Sequence, residues 1–327
     1  MDLDIVFLGT GGSVPTARRG TACVLLRAGG ERLLFDCGEG SQRQMQRSTG
    51  LVQLDEVYLT HFHADHYLGL PGLLKTYDLN GRAAPLRVFG PPGLRDLFAV
   101  LRRIVGRLAF EVELVELEPG EAVAHERYEV RCFPVEHKVR AYGYAFVEQE
   151  RPGRFDPEAA RRLGLEPGPD FGRLQAGEVV QGPQGEVRPE QVMSPPRPGR
   201  KVVISGDTAP CEMVRVAAHE AELLIHDASF DDAEEQRAAE TAHSTARQAA
   251  RLAREAQVRM LALVHISSRY HVPAVLAQAR EEMSEVVAPR DFDVVEIPFP
   301  ERGAPQLVEG GAKAARDQRA ADPQAAP

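Results

Sequence analysis

The segment THFHADH at residues 60–66 places four side chains that can bind a metal close together: His61, His63, Asp65 and His66. Alternate residues of an extended segment point the same way, so the first two histidines can reach one metal ion. A turn after them would direct the other two side chains toward a second point. Because a tetrahedral zinc ion takes only three or four protein ligands, this cluster, with further candidates elsewhere, indicates two metal ions.

Three further ligand candidates stand where a predicted strand ends: His137, Asp207 and His265. A strand holds such a side chain rigidly at the rim of a core. Asp207, in the phrase SGDT, could bridge two cations about 3.5–4 Å apart, as in two-metal hydrolases. A lone histidine at a strand end is usually structural, and a surface cluster would be only a polar loop. Burying the whole set without a metal, however, would cost several kcal/mol, which favours a metal site.

His243 is a different kind of candidate, because it opens the predicted helix HSTARQAA and belongs to no ligand cluster. A histidine at such a junction between loop and helix could donate a proton to a leaving group. Its position alone leaves a structural role equally open.

The elements that must position these residues alternate between strand and helix patterns, which predicts a mixed α/β domain. Strands are predicted at 5–9, 22–27, 31–36, 56–60, 87–90, 201–208, 222–229, 259–265 and 293–298, with several more in 111–148, and helices at 40–49, 94–107, 243–256 and 273–287. Residues 150–200 are rich in proline and glycine and are predicted to be an insertion unable to build its own core. Its one helix candidate has Asp156 as N-cap, Pro157 as first residue and Gly164 as its stop.

Composition limits the classes of protein to which this chain can belong. No run of about eighteen apolar residues exists, so no membrane span is expected. The four cysteines contain no CxxC pair, which favours a reducing cytoplasm. The net charge of −9 argues mildly against a nucleic-acid partner. For an enzyme, however, net charge is a poor guide to its partners, because a local patch or a metal centre can supply a positive field.

Six phrases in one order resemble the metallo-β-lactamase superfamily and, within it, the ribonuclease Z family. They are FLGTGGSVPTARRG, LLFDCGEGSQRQM, THFHADHYLGLPGLL, SGDT, AHSTARQAA and HISSRY, spanning about residues 5–270. The resemblance implies a four-layer αββα sandwich over residues 1–302 with a dinuclear zinc site. It also implies an inserted flexible arm at 150–200, whose segment 163–180 would grip tRNA, and a cytoplasmic homodimer. Residues 303–327 are predicted to be a disordered tail.

The predicted reaction is removal of the 3′ trailer from precursor tRNA, leaving a 3′-hydroxyl on the tRNA and a 5′-phosphate on the trailer. His61, His63 and His137 would hold one zinc ion, Asp65, His66 and His265 the other, with Asp207 bridging; Mn²⁺ or Fe²⁺ would also fit these ligands. Asp65 would orient the attacking water and accept its proton, and His243 would protonate the leaving oxygen. Two alternatives remain open: a hydrolase of this fold acting on a small phosphodiester or thioester, which would not need the arm, and a non-catalytic RNA-binding protein.

Overall fold

The structure is a computed structural model that describes residues 2–312 of the chain. The strands are β1 Leu3–Gly9, β2 Cys23–Ala28, β3 Glu31–Phe35, β4 Glu56–Tyr58, β5 Leu86–Gly90, β6 Val112–Glu116, β7 Ala122–Ala124, β8 Tyr128–Pro134, β9 Tyr142–Glu148, β10 Val180–Gly182, β11 Gly185–Val187, β12 Lys201–Ile204, β13 Leu223–Asp227, β14 Leu261–Val264, β15 Val286–Val287, β16 Val294–Glu296 and β17 Gln306–Val308. The α-helices are α1 Ser41–Arg47, α2 Ala64–Tyr67, α3 Gly69–Leu79, α4 Leu94–Val105, α5 Pro157–Arg162, α6 Pro169–Gln175, α7 Glu212–Ala217, α8 Glu235–Thr241, α9 Ala246–Glu255 and α10 Val272–Arg280. Short 3₁₀ helices lie at Pro189–Gln191, Asp232–Glu234 and Pro300–Arg302.

Two large sheets form the framework. One has the order β17-β16-β1-β2-β3-β4-β5-β6, and the other has the order β15-β14-β13-β12-β9-β8-β7. Within the first, β3 to β6 run parallel, and within the second, β12 to β15 run parallel. The carboxyl ends of parallel strands open onto one edge of a sheet, where α/β proteins place their ligands.

The two sheets face each other and helices cover their outer faces. Phe35 on β3 and Tyr58 on β4 both pack against Tyr144 on β9, with ring centroids 5.9 and 5.2 Å apart. Helices α1, α3 and α4 pack on the first sheet, and α7, α9 and α10 lie on the side of the second. Strand β1 is buried along nearly its whole length, as expected when both faces of a sheet are covered. The predicted αββα sandwich is therefore confirmed.

A second compact unit comprises residues 125–129 and 147–199. The prediction that the insertion cannot build its own core is wrong. Its seven buried apolar residues are Ala159, Ala160, Leu165, Leu174, Val180, Val187 and Val192. The short pair β10–β11 and the helices α5 and α6 supply this core, and their short lengths hid the apolar pattern. The start of α5 is as predicted, because the Asp156 side chain accepts hydrogen bonds from the backbone nitrogens of Glu158 and Ala159.

Two further predictions about the C-terminal part need correction. The helix predicted at 273–287 ends at Arg280, because the β-branched pair Val286–Val287 instead joins β14 as a parallel edge strand. The predicted tail is ordered from residue 303 to 312: β17 pairs with β16, and Ala312 is buried in the core. Residues 313–327 of that prediction lie outside the described residues. Within residues 2–312, no helix is long and apolar enough to cross a bilayer.

Candidate metal centre

The four residues of the HxHxDH segment are placed by the end of β4 and a single turn of helix. Strand β4 ends at Tyr58 and a bend follows at Thr60, and His63 has extended backbone angles (φ −74°, ψ 146°). Helix α2 then begins at Ala64 and turns Asp65 and His66 to a second point. This change from extended to helical backbone is what lets one short segment serve two metal positions.

The first group of ligand atoms comes from His61, His63, His137 and Asp207, all within 4.8 Å of one another. His61 Nε2 lies 3.0 Å from His63 Nδ1, and His137 Nε2 lies 3.2 Å from that same Nδ1. In a tetrahedral zinc site with 2.0–2.1 Å bonds, neighbouring ligand atoms are about 3.3 Å apart. The three ring nitrogens are therefore spaced as zinc ligands would be.

The second group comes from Asp65, His66 and His265, whose ligand atoms also lie within 4.8 Å of one another. His265 Nε2 is 3.1 Å from Asp65 Oδ2. Asp207 Oδ2 lies 3.3 Å from His66 Nε2, 3.4 Å from His265 Nε2 and 3.8 Å from His61 Nε2. Asp207 is thus close to members of both groups, which is the place of a bridging carboxylate.

In four of the five histidines, Nδ1 points away from the other ligand atoms and is hydrogen-bonded to the protein, which leaves Nε2 for a metal. Nδ1 of His66 donates to Asp36 at 2.8 Å, and Nδ1 of His61 donates to the Thr60 hydroxyl at 3.0 Å. Nδ1 of His137 donates to the carbonyl oxygen of Ala242 at 2.9 Å. Such partners fix the tautomer in which Nε2 carries the lone pair, as is usual around metal-binding histidines.

The remaining outer contact runs through Ser229. Nδ1 of His265 donates to the Ser229 hydroxyl at 2.8 Å, and that hydroxyl donates to Asp227 Oδ1 at 2.6 Å. The other oxygen of Asp227 accepts from Nδ1 of His243 at 2.7 Å. One buried carboxylate therefore orients both a candidate metal ligand and the candidate proton donor.

An unpartnered buried nitrogen atom indicates that a metal ion fits this set of donors. The Nε2 atom of His66 is buried and has no hydrogen-bond partner among the described residues, although its ring is held firmly by Asp36. A buried polar atom without a partner is costly, and a cation between His66 and the two carboxylates Asp65 and Asp207 would satisfy it. Histidine nitrogens and carboxylate oxygens are also the ligands that zinc accepts.

The charges at the site favour ionised carboxylates. Burial opposes ionisation of Asp207, but His265 and His66 outweigh it and hold the pKa of Asp207 well below its usual value. The pKa of Asp65 is lowered for the same kind of reason, because His265 and His66 outweigh its burial. Burial, assisted by His66, lowers the pKa of His61 well below its usual value, so that ring stays neutral. The same carboxylates, with Asp36 beside His66 and Asp227 beside His265, raise the pKa of His66 and His265 despite their burial, so a metal bound between these rings would displace their protons.

His243 lies in the loop before α9, and Thr245 is the N-cap that starts the helix, so His243 precedes the helix instead of opening it. Its ring stacks against that of His265, with centroids 5.5 Å apart. Burial lowers the pKa of His243, but the Asp227 carboxylate more than offsets it and raises the pKa to about 9. Asp227 therefore favours the protonated ring, which is the form from which a general acid donates.

Three residues that support the candidate ligands were not predicted from the sequence: Asp36, Thr60 and Ser229. Asp36 gave a usable signal, because it ends the strand ERLLFD in the way that Asp207 ends its own strand. Thr60 and Ser229 gave none, because a hydroxyl beside a ligand becomes informative only when its hydrogen bonds are known.

Comparison with known proteins identifies the relatives of this chain. The family model described as the metallo-beta-lactamase superfamily matches residues 16–264. The chain is 48% identical over 302 residues to a ribonuclease Z of Methanosarcina acetivorans, covering 91% of this chain and 99% of that protein. It is 47% identical to a ribonuclease Z of Myxococcus xanthus, covering 91% and 98%. Among solved structures it is similar to the short form of human tRNase Z, with a TM-score of 0.67, 29% identity and coverage of 90% and 99%.

Proposed function

We propose the function of this chain from one premise: it belongs to the ribonuclease Z family of the metallo-β-lactamase superfamily. The chain is a metal-dependent endoribonuclease that removes the 3′ trailer of precursor tRNA, leaving a 3′-hydroxyl on the tRNA and a 5′-phosphate on the trailer. One observation carries this proposal beyond the family name: Asp207 Oδ2 lies 3.8 Å from Nε2 of His61 in the first group and 3.3 and 3.4 Å from Nε2 of His66 and His265 in the second. Eight relatives at 45–48% identity are ribonuclease Z proteins, so the small-molecule alternative is not favoured.

The proposed ligands are those predicted from the sequence. His61, His63 and His137 would hold one Zn²⁺, Asp65, His66 and His265 the other, and Asp207 would bridge. When bound, two such cations lower the pKa of a water molecule and neutralise charge on a phosphate. Manganese or iron would suit the same ligands, so the metal itself is part of the proposal.

The protein side chains would move two protons. Asp65, whose carboxylate lies 3.1 Å from His265 Nε2, would orient the attacking water and accept its proton. His243 would donate a proton to the departing oxygen, and Asp227 would hold its ring in the orientation needed. Each proton transfer contributes about 10²–10⁴-fold to such reactions.

The second unit is the proposed tRNA-binding arm, and a homodimer in which each arm serves the partner's site is proposed with it. A folded tRNA is recognised by shape and backbone, which suits a surface of nearly balanced charge. Around residues 158–178, arginines pair with neighbouring acids, as in Arg161–Glu158 and Arg173–Asp170. Contacts of shape and backbone would therefore contribute more than a large positive field. Such a protein would work in the cytoplasm, where tRNA precursors would be met.

The first experiment is cleavage of a 3′-extended precursor tRNA by purified, zinc-loaded protein, with the cut site and end groups mapped. We expect one cut after the discriminator base, leaving a 3′-hydroxyl, and loss of activity on treatment with a chelator. Cleavage that persists in chelator with no bound metal would contradict the metal centre. Turnover of a small phosphodiester without any cleavage of precursor tRNA would contradict the substrate.

The arm is tested separately by a deletion. Arg151 and Arg197 form an antiparallel bridge, so residues 152–196 can be replaced by a short Gly-Ser loop at the base of the unit. We expect precursor tRNA cleavage to fall by about 10²-fold or more through KM, since the arm would supply binding energy, while zinc content is unchanged. Unchanged KM in the deletion variant would remove the arm from the proposal.

A further inference from the structure

Asp291 lies between β15 and β16, outside every sequence motif described above, yet its carboxylate accepts four hydrogen bonds. Oδ1 accepts from the backbone nitrogen and the hydroxyl of Thr10, at 3.1 and 2.8 Å. Oδ2 accepts from the backbone nitrogen of Gly20 at 2.7 Å and from Nε2 of Gln44 at 2.6 Å. These donors come from separate segments of the chain, so one carboxylate holds those segments together.

Thr10 and Gly20 are the two ends of one loop, which follows β1. The loop is closed a second time where the backbone nitrogen of Gly11 donates to the carbonyl oxygen of Gly20 at 2.9 Å. Arg19 adds a third tie, because its Nη1 donates to the Thr10 hydroxyl at 2.6 Å and to the carbonyl oxygen of Pro289 at 3.0 Å. Removing Asp291 would leave two backbone N–H groups at the base of the loop without their acceptor.

The clamped loop lies directly against a candidate metal ligand. The backbone nitrogen of His265 donates to the carbonyl oxygen of Thr10 at 3.1 Å, and Gly11 forms a parallel bridge with Ile266. A Cβ atom at Gly12 would lie 2.3 Å from the His265 carbonyl oxygen and 2.6 Å from its Nδ1. The loop and the segment after β14 are thus packed without space between them.

The same two segments line an open cavity of about 390 Å³, which is bordered by Ile266, the residue after His265. Gly12, Val14 and Arg18 line one side, and Ser267 and Tyr270 line the other. The volume lies within the usual range for ligand sites. A guanidinium, a phenol ring and hydroxyl groups are side chains that contact the phosphates and bases of single-stranded RNA.

We propose that Asp291 is a positioning residue of the nuclease site. Its carboxylate holds the Thr10–Gly20 loop in the conformation that seats His265 and forms the wall of the cavity in which the RNA strand lies. This inference rests on the proposed function, because RNA is the ligand it assigns to the cavity. The clamp itself is a property of the chain that can be tested without RNA.

The test variant is Asp291→Asn, and its matched control is Asp293→Asn. Asparagine keeps the shape but replaces one acceptor oxygen with an NH₂ group, which would face another donor in this cluster. Asp291 is half-buried, and Asp293 is buried and accepts two backbone hydrogen bonds, from Arg290 and Gly310 at 2.8 Å each, but its side chain does not bond to the loop. Both variants lose a hydrogen-bonded carboxylate from the same segment, so general destabilisation affects both.

The first readout is limited digestion by trypsin, with cleavage after Arg18 and Arg19 mapped by mass spectrometry. Asp291→Asn is expected to speed cleavage at these two sites about tenfold or more, since lost charged hydrogen bonds favour the open loop. Asp293→Asn should cleave there at the wild-type rate, and cleavage elsewhere should be similar in both. Equal rates in Asp291→Asn and wild type, or equal acceleration in both variants, would overturn the clamp.

The second readout is kinetics on precursor tRNA with zinc-saturated protein. Asp291→Asn should raise KM about tenfold with a smaller change in kcat, and Asp293→Asn should change neither. A faster tryptic cut with unchanged KM would overturn the positioning role. If the wild type itself cleaves no precursor tRNA, the proposed function fails while digestion still decides the clamp. If Asp291→Asn does not fold, Thr10→Val can replace it, because it removes the hydroxyl bond to Asp291 and keeps the backbone bond. It should change the tryptic cleavage rate and KM in the same directions, but by less.

Discussion

Replacing Asp36 with asparagine is expected to weaken metal binding without unfolding the protein. Asp36 is buried, its Oδ2 accepts from His66 Nδ1 at 2.8 Å, and its Oδ1 accepts from the backbone nitrogen of Thr60 at 2.8 Å. Its φ of +57° is one that asparagine adopts as readily, so the substitution adds no backbone strain. With the amide oxygen on Thr60, the amide nitrogen would donate to His66 Nδ1. The ring proton would then sit on Nε2, the atom that faces the metal.

The size of the effect follows from these contacts. Losing an outer partner of a metal-binding histidine typically costs 10–100-fold in affinity, or about 1.4–2.7 kcal/mol. If the amide flips instead, its NH₂ group opposes the Thr60 N–H, which costs about 1–3 kcal/mol of folding stability. A metal that binds only the folded state stabilises it in proportion to its affinity. Because unfolding entropy is about 2.1 cal/mol/K per residue, 1 kcal/mol shifts the Tm of a 327-residue chain by about 1.5 °C, and the zinc-dependent rise in Tm should shrink by roughly 2–4 °C.

The assay is zinc competition against a fluorescent chelator, paired with melting curves with and without zinc. Glu56→Gln is the matched control, because Glu56 is also buried and bonds to Tyr58 and Arg87, neither of which is a candidate metal ligand. The control should lose stability without losing zinc affinity. If Asp36→Asn binds zinc within twofold of wild type and keeps its zinc-dependent rise in Tm, the reasoning about the His66 tautomer is refuted.

Three further substitutions test other parts of the structure. Gly12→Ala should reduce kcat/KM by about 10²-fold or more. Its Cβ would lie 2.3 Å from the His265 carbonyl oxygen, and a small displacement at a reacting centre reduces the rate by that much. Near-normal kinetics would contradict the close packing. His243→Gln should lower kcat by about 10²-fold or more, since it removes only the proton donor. Its zinc content, measured by mass spectrometry, should stay full. Loss of zinc would instead assign His243 as a ligand. Asp156→Ala should destabilise α5 by about 1 kcal/mol, seen as faster hydrogen exchange there and not elsewhere.

The candidate ligands could be brought together from the sequence because their evidence is local. The spacing within 60–66, together with the end of β4, predicted the change from extended backbone, seen at His63, to the helical turn that carries Asp65 and His66. The same reasoning from strand ends found Asp207. Asp156 could be predicted as a cap for a related reason, since a cap is a contact between close neighbours in the chain.

The parts that could not be predicted depend on distant contacts. β17 looks like a polar tail in the sequence, and it becomes a strand only because β16 offers an open edge. The two valines of β15 could continue a helix until β14 supplies a partner. Asp291 bonds to Thr10, which lies 281 residues away, so no window of sequence contains that interaction.

Backbone strain around the site follows from the same dependence on distant contacts. Non-glycine residues with positive φ in residues 2–312 are Ser13, Asp36, Glu220, Ala242, Gln257, His265 and Phe292. Asp36 and His265 belong to the candidate metal centre, and both residue types tolerate the left-handed region better than most. Ala242 does not, yet it ends α8 there and presents its carbonyl oxygen to His137 at 2.9 Å. Such a conformation costs about 1–3 kcal/mol and persists only where surrounding contacts enforce it. The packing of the whole larger unit therefore supplies what the ligand motif alone cannot: at Asp36 and Ala242 it holds the backbone in an unfavourable conformation, in which Nδ1 of His66 and of His137 is bonded and Nε2 is left for the proposed metal.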